Sequence, residues 1–259
     1  VFFSHWLRHI HKKSMVIDEN IAFVGGVNIG KRFTYWNDIQ LKVRGRIAKR
    51  ILRSFAYAYE MAGGKDEETL AWRNKKFSYK LRFWIVEHLP AKNIHTLRRN
   101  YIERITKAKS KIRIVTPYFT PPRWLSSLLD DAIRRGVDVE IMIPQKTDWT
   151  IMDSINGRYM KMLHSYGIKF FLSQTMNHSK VMLIDEEFGL VGSQNIDHLS
   201  FRINAEIGIF FREKQALKQL SKIYEKWKSA SIVFDPQKYK PKLTDYVLGA
   251  IVRIFHSVL

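Results

Sequence analysis

The sequence predicts an α/β fold, and two observations carry that prediction. From Phe83 to Phe211 short apolar runs alternate with amphipathic stretches, the pattern of strands and helices in layers. In addition, one stretch of eighteen residues occurs twice, at 11–28 and 178–195, each time reading as a tight hairpin.

In chain order, "SMVI" and "IAFVGG" flank "DEN" and predict the first hairpin, and "DIQLKVRG" (38–45) alternates as a strand. "RIAKRILRSFAYAYEMAG" has helical spacing at Ile47, Ile51, Leu52, Phe55 and Tyr59 and stops at Gly63-Gly64. Residues 64–82 are polar and weakly periodic, as in a linker or an exposed excursion. Beyond them "FWIVEHL" predicts a strand and "NIHTLRRNYIERITKAKS" a helix. "KIRIVTPYF" follows as a strand, and "PPRWLSSLLDDAIRRG" as a helix with proline at its start and Gly136 at its stop. "VDVEIMIP" is a strand, "IMDSINGRYMKMLHSYG" a helix and "IKFFLSQ" a strand. The second hairpin, the strand "NAEIGIFF" and two helices close the chain. The last helix, within 244–259, carries an apolar stripe at Val247, Leu248, Ile251, Val252 and Phe255; at about 14 residues it is too short to span a bilayer and suits packing or membrane docking.

The 259 residues hold 44 Lys and Arg against 24 Asp and Glu, a net charge of +20. Such an excess calls for an anionic partner: nucleic acid, a phospholipid surface or a phosphorylated substrate. There is no cysteine, which excludes disulfides, thiolate catalysis and cysteine-ligated zinc. No apolar run reaches the roughly 20 residues of a membrane span, so if a membrane is the partner, the chain sits on it rather than through it.

The repeat carries the chemistry. "HKKSMVIDENIAFVGGVN" aligns without a gap on "HSKVMLIDEEFGLVGSQN", matching His11 with His178, Lys13 with Lys180, Asp18 with Asp185 and Asn28 with Asn195. Asp38 lies 27 residues after His11, and Glu206 lies 28 after His178. Histidine and lysine at i and i+2 of an extended run share a face and present imidazole beside ammonium. The asparagine adds an amide donor, and a carboxylate at Asp38 or Glu206 can hold an imidazole Nδ1–H, leaving Nε2 reactive. One copy is half a phosphate site and two facing copies are a whole one. The lysines and asparagines would hold nonbridging oxygens while one histidine attacks phosphorus and the other protonates the leaving alcohol. Asp18 and Asp185 follow strand ends and are expected to stabilise turns. The remaining histidines at 5, 9, 88, 95, 164, 198 and 256 are read as ordinary packing or surface residues.

The doubled H-x-K-x4-D-x6-G-[GS]-x-N pattern resembles the phospholipase D superfamily. Together with "YWND" (35–38), "TPYFTP" (116–121), "RRGVDVEIMIP" (134–144) and "GSQNIDHLSFRINAEI" (192–207), it is similar to bacterial cardiolipin synthases of the phospholipase D type. The resemblance implies two pseudo-twofold-related α/β lobes with one shared active site, a covalent phosphohistidine and neither metal nor other cofactor. It places His11, Lys13, Asn28, His178, Lys180 and Asn195 in the pocket and gives Asp38 and Glu206 the orienting role. His11 would attack, with His178 as acid and then base; the reverse assignment is the alternative.

Family members carry a substantial stretch before the first motif. The expectation is therefore an incomplete first lobe with a basic linker over 1–88 and a complete second lobe over 89–259. The implied activity is phosphatidyl transfer from phosphatidylglycerol to form cardiolipin, at the periphery of a cytoplasmic membrane. A phospholipase D-type hydrolase or a nuclease of the same superfamily is the alternative, and a non-enzymatic basic membrane-binding chain a third. The stretch "RNKKFSYKLRFW" (73–84) interleaves cations with aromatics and would suit either bases or headgroups.

Overall fold

The computed structural model describes residues 9–78 and 82–239. The C-terminal amphipathic stripe lies outside the described residues, as do His5, His256 and the centre of the 73–84 stretch.

The first motif copy folds as expected. Strands β1 (Ser14–Ile17) and β2 (Ile21–Gly25) form an antiparallel hairpin with Ser14 opposite Val24, and β3 (Gln40–Arg44) adds to β2. The turn puts Asp18 and Glu19 at φ 49° and 54°, and Asp185 and Glu186 repeat it at 52° and 57°. Two successive left-handed residues give the turn a twist that matches the flanking strands. Helix α1 (Arg46–Met61) follows Gly45 and buries Ile47, Ala48, Ile51 and Ser54. Its outer flank differs from the expected stripe: Phe55 is exposed and stacks on Tyr59 with centroids 6.0 Å apart. The polar excursion contains helix α2 (Glu67–Ala71), capped by the Asp66 carboxylate accepting from Thr69 N at 2.8 Å.

The rest of the described chain builds one nine-stranded sheet. In sequence its elements are β4 (Phe83–Leu89), β5 (Ile94–His95), α3 (Thr96–Lys107), β6 (Lys111–Val115), α4 (Arg123–Arg134), β7 (Asp138–Pro144), α5 (Thr150–His164) and β8 (Lys169–Ser173). The second hairpin β9 (Val181–Ile184) and β10 (Phe188–Gly192) comes next. It is followed by α6 (His198–Arg202), β11 (Glu206–Phe211), α7 (Lys214–Ser229) and β12 (Ser231–Val233). The sheet order is β12-β8-β7-β6-β9-β10-β11-β4-β5, with β6, β7 and β8 parallel and the rest antiparallel. Helix α6 and strand β12 escaped the sequence reading because five and three residues are too short to show a period. Strand β4 pairs along β11, so the large sheet holds a strand that a boundary at 88/89 assigns to the first lobe.

Burial on both faces explains the near-continuous apolar strands. On one side Ile112, Ile114, Ile141 and Phe210 meet Leu97 and Tyr101 of α3, Leu125 and Leu129 of α4 and Leu163 of α5. On the other, Val115, Met142, Val181, Val191 and Ile207 meet Leu217 and Tyr224 of α7 together with Ala22, Val24, Val43, Ile47 and Ile51 of the first lobe. The two lobes therefore share a core. Their equivalent elements are β1 with β9, β2 with β10, β3 with β11, and α1 with α7, each of these helices spanning 16 residues.

Candidate active site

Two parallel bridges between the lobes, Ile10 with Ala205 and Asn37 with Asn177, set the site. They are related by the repeat. His11 N donates to Ala205 O at 3.0 Å, and His178 N donates to Asn37 O at 2.7 Å. Each motif histidine thus begins beside the residue that precedes the other lobe's carboxylate.

The side chains complete a crossed arrangement. His11 Nδ1 lies 2.9 and 3.1 Å from the two Glu206 oxygens. His178 Nδ1 lies 2.9 Å from Asp38 Oδ2. Of the two carboxylates open to the sequence reading, each histidine takes the one from the opposite lobe. With Nδ1–H donated, Nε2 of each ring is the nitrogen able to attack or to carry a proton.

The two halves differ in what supports the carboxylate. Glu206 is fully buried and accepts from the hydroxyls of Ser193 at 2.5 Å and Ser200 at 2.9 Å. Burial opposes its ionisation, but the charge and hydrogen bond of His11, the Ser193 hydroxyl and the Lys13 ammonium hold its pKa below the usual carboxylate value. The position matching Ser193 is Gly26, where a Cβ would sit 2.3 Å from Asp38 Oδ1. Glycine lets the backbone come against the shorter Asp38, which also accepts from Ile39 N at 2.8 Å.

Between the carboxylates lie the lysines. Lys180 is buried, and Lys13 Nζ and Lys180 Nζ donate to the carbonyls of their own motif histidines, at 3.0 and 2.5 Å. Burial lowers both pKa values against the pull of Asp38 and Glu206, bringing Lys180 to about 7. Burial also lowers the pKa of His178, despite its bond to Asp38. Asn28 lines a cavity of about 270 Å³ with Thr34, Trp36, Asp38 and His178. The Trp36 ring is 5.4 Å from the His178 ring. Asn195 is buried, its backbone N–H donating to Ser200 Oγ at 3.0 Å and its Oδ1 without a hydrogen-bond partner among the described residues.

Asp18 and Asp185 stand apart from this cluster. Asp185 accepts from the backbone of Lys109, Ser110 and Lys111 at 2.8, 2.8 and 2.9 Å and clasps the loop before β6. Asp18 is exposed at its turn. β1, unlike β9, has no strand on its outer edge among the described residues.

Several supporting residues were not singled out in the sequence. Lys12, between His11 and Lys13, has a buried side chain that donates to Glu87 Oε1 at 2.7 Å and Ser54 Oγ at 2.9 Å; Ser54 in turn donates to Glu87 at 2.6 Å. This ties the first motif to α1 and β4. At the cavity mouth Arg32 pairs with Asp148, which also accepts from Tyr118. Ser193 and Lys12 fall opposite Gly26 and Ser179, two of several positions where the copies differ, so the repeat alone did not mark them.

The comparisons with known proteins agree with this architecture. Residues 101–228 match the family described as "Cardiolipin synthase, PLD-like domain". The cardiolipin synthase of Listeria monocytogenes serotype 4a (strain HCC23) is 29% identical over 96% of this chain and 54% of its own length. The probable cardiolipin synthase of Bacillus subtilis (strain 168) is 29% identical over 96% of this chain and 52% of its own. The chain thus spans about half the length of these relatives. Among solved structures, phosphatidylserine synthase of Haemophilus influenzae Rd KW20 superposes with a TM-score of 0.73 at 16% identity, covering 97% of this chain and 70% of that one. At that identity the likeness speaks for the fold alone.

Proposed function

We propose that this chain, similar to cardiolipin synthases, belongs to the phospholipase D superfamily and is part of a phosphatidyltransferase that joins two phosphatidylglycerol molecules into cardiolipin and glycerol. The observation that carries the reading is the crossed pair of histidine–carboxylate contacts around the buried Lys180 and the half-buried Lys13.

In this reading His11 Nε2 attacks the phosphorus of the first phosphatidylglycerol, forming a P–N bond as the bond to the glycerol oxygen breaks. His178 gives that oxygen its proton. The headgroup hydroxyl of a second phosphatidylglycerol then loses its proton to His178 and attacks phosphorus, releasing cardiolipin and neutral His11. His11 is the more open imidazole, with 28% of its side chain exposed against 6% for His178, and so has room to carry a phosphatidyl group. The lowered pKa of His178 makes its protonated form a ready donor and its neutral form a competent base. Lys13, Lys180, Asn28 and Asn195 supply the donors for the nonbridging oxygens as negative charge grows. No step calls for a metal, so EDTA should leave turnover unchanged.

The same reading sets the chain at the surface of an anionic membrane, which its charge suits. Among the described residues no helix is long and apolar enough to cross a bilayer. The first lobe is proposed to end near residue 88 and the second to run on from 89.

The test is incubation with labelled phosphatidylglycerol vesicles and chromatography of the products. Cardiolipin plus glycerol is expected. Phosphatidic acid alone would make the protein a hydrolase, and cleavage of nucleic acid without lipid turnover a nuclease.

A further inference from the structure

The loop over the cavity carries both lining and outward residues, Val27 and Phe33 among the former. Asn28, Gly30, Thr34 and Trp36 line it, whereas Ile29 is 97% and Tyr35 86% exposed. Across the mouth the ion pair of Arg32 with Asp148 brings in the next residue, Trp149, which is 55% exposed. Lys31, Arg32 and Lys146 stand exposed on the same two segments. Isolated exposed apolar residues are ordinary on protein surfaces, but here an aliphatic and two amphipathic rings stand exposed on two segments that the Arg32–Asp148 pair joins, interleaved with cations.

We propose that this rim, formed by Ile29, Tyr35 and Trp149 with Lys31, Arg32 and Lys146, is the surface that docks on an anionic bilayer, so that the site opens directly into the headgroup layer. It rests on the phosphatidyl-transfer reading and adds the face on which transfer occurs. Tyrosine and tryptophan settle at the level of the headgroups, with one end apolar and the other wet. Lys31 and Lys146 meet the negative surface there, while Arg32, paired with Asp148, joins the two segments. Ile29 separates a lipid from a nucleic-acid partner: it has no ring to stack on a base and no donor for a phosphate, and its burial is rewarded only in an apolar medium. Lipid diffusing in the plane would then reach the Trp36–His178 cavity without leaving the bilayer.

The natural sequence has no cysteine, so single-cysteine variants carry one probe each. Ile29→Cys, Tyr35→Cys and, on α7, Lys218→Cys are labelled with an environment-sensitive fluorophore and mixed with phosphatidylglycerol vesicles. The probes at 29 and 35 are expected to shift to the blue and to be quenched by brominated acyl chains, while the probe at 218 stays as in water. As a second readout, Ile29→Asp combined with Trp149→Asp should raise the dissociation constant for these vesicles at least tenfold in a flotation assay. Vesicle binding with unshifted probes at 29 and 35 would overturn the proposal, as would a blue shift with single-stranded DNA but not with vesicles. Neither readout needs turnover, so a failure of the transfer reading, seen as absent product, is distinguishable from a failure of docking.

Discussion

Glu206, buried in the second lobe, accepts a hydrogen bond from Nδ1 of His11 in the first, and Asp38 returns the relationship to His178. The pairing can be read without turnover. In ¹⁵N spectra of histidine-labelled protein, Glu206→Gln should change the ring tautomer of His11 and leave His178 alone, and Asp38→Asn should do the reverse. Each should also lower kcat by about a hundredfold or more, since an imidazole without its orienting carboxylate loses its tautomer. Changes confined to the histidine of the same motif copy would contradict the crossed arrangement.

Burial brings the pKa of Lys180 down to about 7, so its neutral form competes with the ammonium near neutrality. An anionic phosphodiester favours the ammonium, so binding raises this pKa and takes up a proton at pH 7.5–8. Calorimetry of glycerophosphoglycerol binding in Tris and in HEPES should show that uptake as a buffer-dependent heat. KM should rise with pH above 7, and Lys180→Met should abolish the uptake. Equal heats in both buffers would remove Lys180 from the binding step.

The buried Lys12–Glu87 pair with Ser54 predicts an asymmetry in stability. Lys12→Met or Glu87→Leu alone leaves one uncompensated buried charge and should cost about 3–5 kcal/mol in urea unfolding. The double substitution removes both charges and should recover most of that loss. Additive losses would mean that the pair is not coupled.

Gly26 and Ser193 should respond differently although they occupy matching positions. Gly26→Ala places a methyl 2.3 Å from Asp38 Oδ1, which must move away from His178, so activity falls sharply while thermal stability changes less. Ser193→Ala removes a hydrogen bond to an ionised, buried Glu206, a loss of roughly 1.5–3 kcal/mol in stability. Wild-type kcat in Gly26→Ala would show that Asp38 does not need its present place.

The hairpins, the alternating layers and the doubled motif were legible because each rests on a local period or on identity between copies. His11, Lys13, His178 and Lys180 could be paired with their lobes from spacing alone. The crossing of the carboxylates could not, because it depends on the bridges Ile10–Ala205 and Asn37–Asn177, which join segments far apart in sequence. The same holds for Lys12 and Glu87, whose contact spans 75 positions, and for Arg32 and Asp148, 116 apart. Strand β4 was recognised as a strand, but its place beside β11 is set by the tertiary fold rather than by its own sequence.

The most direct test of the account is acid quenching of the protein during turnover of phosphatidylglycerol labelled in its phosphate, followed by mapping of the labelled peptide. The account predicts acid-labile label on His11 in the wild-type protein, much reduced in His178→Ala, where the leaving alcohol lacks its acid, and absent in His11→Ala. Turnover undiminished in His11→Ala, or label found only on His178, would contradict it.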